Sequence, residues 1–348
     1  MSSPVAASGP QALSMRALGL LVTGYEKVSG ISGRFRPEVV PVDRDRCLIV
    51  ADVTDEADEV VGLRLVPESG ELPFWQPGAH IDVALPSGIV RQYSLCGDPT
   101  RIDEYRIAVR RIAGGGGGSR EVHTLRAGDL LTVRGPRHAF PFLATDRYLF
   151  VAGGIGVTPI RPMIHDAVRR GVDWQFVYTG RTRASMPFVD ELTALDPARV
   201  HIWPDEQFGV PTGAKIIEHA PKGAALYCCG PAPMIAGIRA QIPAPSIDTL
   251  HFERFSPPRV IGGAPFEMVL ARSGKVIAVD RHLTALAAIC AQLPSVPYSC
   301  QQGFCGTCPV RVIDGRIEHR DRCLTDAQRE QRMAICVSRG IGRITLDL

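Results

Sequence analysis

A chain of 348 residues has room for two or three domains. Its composition, 45% hydrophobic and 22% charged, is ordinary for a folded globular protein, and a formal charge of +3 without any run of Lys or Arg offers nucleic acid little to hold. The longest apolar stretch near the start, Ala17 to Val22, is far short of the roughly 18 residues of a membrane span. No signal-peptide layout flanks it, so a cytoplasmic protein is expected, without nucleic-acid or membrane partners.

In chain order, residues 1–44 are rich in small residues, show no sustained periodicity and read as a peripheral extension. From residue 45 to 143, short apolar runs recur between turn signals: Cys47–Val53, Val60–Leu65, His80–Leu85, Ile89–Leu95, Tyr105–Ile112 and Leu130–Val133. That pattern predicts a small antiparallel β-barrel. Between 144 and 258 strands and helices alternate. The strands are Tyr148–Ala152, Trp174–Tyr178, Val200–Trp203 and Ala225–Cys229; helical stretches run to Arg170, near Ser185–Leu195, near Thr212–His219 and from Pro231. Alternation of this kind predicts an α/β unit with a parallel sheet. Ser256-Pro257-Pro258 and Gly262-Gly263 read as a linker. Residues 259–348 open with a hairpin, Phe266–Val279, and continue with a helix near Leu283–Gln292, a cysteine-rich loop and further short strands.

Ten cysteines raise the choice between disulfides, metal and packing. A disulfide framework belongs to small secreted domains, which this is not. The spacing Cys300-x4-Cys305-x2-Cys308, with Cys336 further on, is instead that of four thiolates around a plant-type 2Fe-2S cluster. Small residues between them let the loop close around a cluster and aim backbone N–H groups at its sulfides. Zinc is the alternative, but zinc sites usually pair two short knuckles, whereas here three ligands share one loop. Cys323 competes with Cys336 for the fourth place. It sits in a polar stretch, His319-Arg320-Asp321-Arg322, while Cys336 follows the apolar Met333-Ala334-Ile335, so Cys336 is preferred. Cys290, on an apolar helix, reads as packing.

Three further motifs suggest ligand contacts. In Arg91-Gln92-Tyr93-Ser94-Leu95, strand alternation places Arg91, Tyr93 and Leu95 on one face and Gln92 and Ser94 on the other. An Arg, a Tyr and a Ser so arranged suit a flavin phosphate, ring and polar edge, although an exposed strand with a core Tyr has the same look. The Gly-rich stretch Gly114–Gly118, followed by Ser119, opens a short helical segment and reads as a phosphate loop or as a flexible hairpin. Gly153-Gly154-Ile155-Gly156-Val157-Thr158-Pro159 is a strand-to-helix turn but not the full dinucleotide fingerprint. Cys229-Gly230-Pro231 ends a later strand in the same way, so both turns belong at the carboxyl edge of the sheet, where ligands bind. Cys229 reads as a nicotinamide contact or a buried thiol. Most of the nine histidines, His80 and His138 among them, read as surface or core fillers.

Taken in order, Arg91-x-Tyr93-Ser94-Leu95, Gly117-Gly118-Ser119, the Gly153–Pro159 turn, Cys229-Gly230-Pro231 and the cysteine loop resemble the phthalate dioxygenase reductase and vanillate demethylase reductase family, over about residues 45–348. The resemblance implies a ferredoxin-reductase-like flavin barrel, an NAD module and a C-terminal β-grasp 2Fe-2S ferredoxin domain, with FMN and NADH as cofactors. It implies a terminal oxygenase as partner, a Rieske-type aromatic oxygenase or demethylase. A haem-thiolate monooxygenase is the nearest rival acceptor; a zinc-bound interaction module on a nucleotide-binding scaffold is the rival of a different class. By the same resemblance, FMN contacts fall to Arg91, Tyr93, Ser94, Ala108, Val109, Arg110, Gly118, Ser119 and Thr158, and Phe255 is the aromatic that covers the ring. Gly154, Gly156, Arg181, Asp205, Cys229, Gly230 and Pro231 fall to NAD, an acidic residue suiting a ribose hydroxyl and an Arg a 2′-phosphate. His319-Arg320-Asp321-x-x-Leu324-Thr325 also resembles this family.

Overall fold

Three sheets, met one after another along the chain, organise the described residues. The computed structural model describes residues 45–348 apart from 114–116, 139, 243, 256–259, 294–295, 299–300 and 304–305. The N-terminal extension, the first part of the Gly-rich loop, the Ser256-Pro257-Pro258 linker, Cys300 and Cys305 therefore lie outside the described residues.

The first sheet is antiparallel and contains β1 (Asp45–Ala57), β2 (Val60–Pro67), β3 (Ala79–Ala84), β4 (Val90–Ser94), β5 (Tyr105–Arg110) and β6 (Leu130–His138), in the spatial order β4-β3-β6-β1-β2-β5. These are the six predicted strands. The sheet curls: the chain leaving β4 reaches β5, the Cys96 N–H donating to Arg106 O at 2.9 Å. Alternating residues point inward, so Leu48, Val50, Leu63, Leu65, Ile81, Val83, Ile107 and Val133 fill the interior with Trp75 and Tyr105. The Tyr105 hydroxyl donates to Pro73 O at 2.7 Å, which satisfies the one polar atom of that buried ring. A short helix, α1 (Gly118–Val122), precedes β6.

The second sheet is wholly parallel, in the order β11-β10-β7-β8-β9. Its central strands, β7 (Arg147–Gly153) and β10 (Ala224–Cys229), are continuous apolar runs because helices cover both faces. The others are β8 (Asp173–Gly180), β9 (Val200–Pro204) and β11 (Ile247–Glu253). The intervening helices are α2 (Val157–Arg170), α3 (Val189–Leu195), α4 (Asp205–Phe208), α5 (Gly213–Ile217) and α6 (Ala232–Arg239). Two expectations change. The helix expected near Ser185–Leu195 begins only at Val189, because Arg183–Ser185 is a separate 3-10 turn closed by a Thr182 capping box. The edge strand β11 was not foreseen, since its sequence, IDTLHFE, has no sustained apolar run.

The third sheet, in the order β13-β12-β16-β14-β15, mixes parallel and antiparallel pairs around α7 (Ala285–Cys290). It comprises β12 (Phe266–Leu270), β13 (Val276–Val279), β14 (Pro309–Glu318), β15 (Arg332–Ala334) and β16 (Arg339–Leu346), with α8 (Asp326–Arg329) before β15. β12 and β16 run parallel and the other pairs antiparallel. Arg339 is buried in this unit and held chiefly by backbone carbonyls. Its guanidinium donates to Leu283 O, Ala264 O and Asp280 O at 2.6–3.1 Å and lies over the Phe266 ring. Among the described residues no helix is long and apolar enough to cross a membrane.

Candidate functional site

At the carboxyl edge of the parallel sheet two Gly-containing turns are pressed together. A Cβ on Gly156 would lie 2.2 Å from Cys229 O, and one on Gly153 would lie 2.5 Å from Pro231 Cδ. The glycines of both motifs thus have a packing reason, turn against turn, besides any approach to a ligand. Gly154 also has φ +53°, a conformation other residues rarely adopt. Gly154, Gly156, Gly230 and Pro231 are brought together as expected. Cys229 is 0% exposed and packed in the core, and burial first, then the Glu253 and Cys228 charges, pushes its thiol well above the ordinary range. It stands at the right edge of the sheet but under cover, so contact with a ligand requires that cover to open. Arg181 and Asp205 lie further along the same edge, where Arg181 O accepts from the Glu206 N–H at 3.0 Å. The neighbouring Arg183 is held by Asp190 at 2.8 Å.

The barrel residues gather differently from strand alternation. Arg91, Gln92 and Ser94 all line one cavity of about 320 Å³, because the long Arg91 side chain reaches round the strand. That stem lies on Gly118, where a Cβ would be 2.7 Å from Arg91 Cγ, so the strand motif and the start of α1 meet. The Ser119 hydroxyl accepts from the Ile112 N–H at 3.1 Å. Tyr93 does not line the cavity. It leans on the barrel core with its hydroxyl enclosed, and burial pushes that hydroxyl up to about 12. Ala108 and Val109 are interior residues, Val109 in the barrel core and Ala108 beside Val60 and Cys96. Arg110 reaches Gly154. Thr158 is buried, its hydroxyl donating to Ile155 O at 3.0 Å.

The rest of the cavity wall comes from far along the chain: Glu253, Arg254 and Phe255 at the end of β11, and Tyr298, Gln301 and Gln302 from the third unit. Phe255 is 49% exposed, an aromatic offered to the opening. Tyr298 hydrogen-bonds Arg91. Sequence reasoning missed Glu253, Arg254, Tyr298, Gln301 and Gln302, and it passed over His80, which also lines the cavity. No spacing rule joins such distant positions; only the strand end at Glu253 could have pointed to them.

The cavity lies within the size range of small-molecule sites, about 300–1,000 Å³. An orphaned atom tests its fit to a flavin. Glu253 is only partly covered as a residue, yet its Oε2 is enclosed and has no hydrogen-bond partner among the described residues. Burial pushes the Glu253 carboxyl up to about 8. A ring system with a polar edge supplies the partner that this oxygen lacks, so the residues present fit the group.

In the third unit Cys308 and Cys336 are buried, 3% and 1% exposed, in one core. Cys308 immediately precedes β14. Cys336 follows Ile335, whose carbonyl accepts the Leu286 N–H of the first turn of α7 at 2.8 Å. The loop backbone is left-handed at Gln301, Gly303 and Gly306. Cys323 is half-buried, its thiol 4.0 Å from an Asp321 carboxylate oxygen. No three possible metal ligands converge among the described residues, which exclude Cys300 and Cys305. Two thiols in one turn-rich core fit an iron–sulfur donor set.

Comparison with known proteins gives the same picture. Residues 268–339 match the family model of the 2Fe-2S iron–sulfur cluster binding domain. The chain is 38% identical over 310 residues to a putative toluene-4-sulfonate monooxygenase system reductase subunit of Comamonas testosteroni, covering 86% of this chain and 98% of that one. Among solved structures it matches phthalate dioxygenase reductase, described as a modular structure for electron transfer from pyridine nucleotides to [2Fe-2S]. That match has a TM-score of 0.67 and 30% identity, covering 88% of this chain and 98% of that one. It also matches an intact type IV self-sufficient cytochrome P450 monooxygenase, with a TM-score of 0.66 and 35% identity over 90% of this chain, but spans only 43% of that longer chain.

Proposed function

The chain belongs to the family of reductase subunits of oxygenase systems, NAD(P)H-dependent oxidoreductases that end in a 2Fe-2S domain, and from that premise we propose that it carries electrons from NADH through FMN and the cluster to a Rieske-type aromatic oxygenase or demethylase. When bound, FMN takes two electrons as a hydride and releases them singly, which suits a one-electron cluster. The chain's own residues bind and orient. Arg91, resting on Gly118 beside Ser119, offers a fixed positive charge to the phosphate. Ser94 and Glu253 flank the polar edge of the ring, and at neutral pH Glu253 holds its proton and so donates. Phe255 covers the ring, while Tyr93, Ala108, Val109, Arg110 and Thr158 shape the walls behind it. The Gly154–Gly156 turn, Cys229, Gly230 and Pro231 receive the nicotinamide end, with Arg181 and Asp205 towards the ribose. Cys300, Cys305, Cys308 and Cys336 hold the cluster. A cytoplasmic setting and transient docking to the oxygenase go with this reading.

The observation that supports it is one cavity walled by the barrel, the end of β11 and residues 298–302 beside the cysteine loop, room for a flavin next to a cluster. Purified protein should show flavin absorbance together with iron–sulfur charge-transfer bands, and a spectrum lacking both sinks the redox reading. Cys305→Ser should abolish cytochrome c reduction while NADH still bleaches the flavin; cytochrome reduction that survives means that the flavin donates directly. The likeness to a self-sufficient P450 chain favours a second acceptor, a haem-thiolate oxygenase. Reconstitution with each oxygenase class separates the two.

A further inference from the structure

The cavity has one wall that is a joint. Arg254 Nε donates to Gln302 Oε1 at 3.1 Å, and Gln302 Nε2 donates back to Arg254 O at 2.8 Å. Gln302 lies in the loop between Cys300 and Cys305, and Arg254 is flanked by Glu253 and Phe255. One primary amide thus uses both its acceptor and its donor on a single residue, a reciprocal arrangement that fixes orientation as well as distance. The loop is further braced by the Arg322 N–H, which donates to Gly303 O at 2.8 Å. From this geometry we infer that Arg254 and Gln302 are the positioning pair that holds the cluster loop against the flavin pocket and sets the rate at which an electron crosses between them. The inference rests on the flavin and iron–sulfur reading above. Electron tunnelling weakens exponentially with separation, so a loop released by a fraction of a turn carries electrons far more slowly while leaving each centre intact.

The pair predicts an asymmetry. Gln302→Leu removes both hydrogen bonds, whereas Arg254→Leu removes only one, because the Arg254 carbonyl remains. Rapid-mixing spectroscopy with NADH on the holoprotein, following cluster bleaching after flavin bleaching, should show a loss of about tenfold in the flavin-to-cluster step for Gln302→Leu and about threefold for Arg254→Leu. The double variant should match Gln302→Leu, not the roughly thirtyfold loss of independent sites. Hydrogen exchange at residues 301–303 and at the Arg322 amide should quicken in the same order, a readout that does not depend on turnover. Should Arg254→Leu fail to fold, Arg254→Lys, which keeps the charge but not the guanidinium Nε, takes its place with the same expectation. An unchanged flavin-to-cluster rate, additive losses or unaltered exchange in Gln302→Leu overturns the inference. Absence of the flavin or cluster spectrum in the parent protein overturns the reading beneath it, and the inference with it.

Discussion

Two enclosed carboxylates, one on the cavity wall and one in the third unit, are treated in opposite ways. Asp321, in the cluster-bearing unit, has a side chain with no exposure and is surrounded by donors: the Leu324 N–H at 3.1 Å, the Ser338 hydroxyl at 3.1 Å and His319 at 3.3 Å, with Arg329 at 3.7 Å. Burial pushes its carboxyl up, but those bonds outweigh it and hold the group below the ordinary range. Glu253 has an enclosed Oε2 with no partner among the described residues, and burial pushes its carboxyl up to about 8. A satisfied carboxylate is a brace; an unsatisfied one at a cavity is a half-made contact waiting for a ligand.

The largest effect should come from breaking the brace. Asp321→Ala strands three donors and should lower stability by about 3 kcal/mol, read as a drop in the urea midpoint, with earlier loss of the cluster absorbance. A midpoint within error of the parent would show that the donors find other partners. The two carboxylates should also slope oppositely with pH. Asp321 titrates lower in the folded chain than in the unfolded one, so its contribution is complete above about pH 4 and disappears on further acidification. Glu253 titrates higher when folded, so stability is retained below its unfolded value of about 4.3 and declines as pH rises towards 8. In protein stripped of flavin, Glu253→Gln should remove that decline, and an unchanged profile between pH 5 and 8 would refute the assignment. The smallest effect belongs to Ser338→Ala, which removes one donor to Asp321 and should cost about 1 kcal/mol in the same denaturation assay.

This contrast also shows what a linear sequence can reveal. The 2Fe-2S domain was legible because three cysteines lie within one short loop, where spacing along the chain is itself close to geometry. The six barrel strands were legible because inward positions alternate. The glycine turns were legible as turns, although the pressure of Cys229 O on Gly156 was not, since it depends on two strands lying side by side. The cavity wall was least legible. Glu253, Tyr298 and Gln302 are ordinary residues until β11 delivers one to the others, and β11 itself lacks the apolar run that betrays a buried strand. Tyr93 shows where alternation stops informing: it shares a strand face with Arg91, yet Arg91 lines the cavity while the Tyr93 ring packs against the barrel core.

The end of β11 is both the wall of the cavity and the start of the tether to the cluster-bearing unit. Module order along the chain is therefore constrained. Moving the iron–sulfur module to the other terminus would leave Phe255 on a loose chain end and deprive Gln302 of its counterpart. A cut after Glu253 parts that residue from Arg254 and Phe255, which share the cavity wall with it, and so divides the wall between two chains.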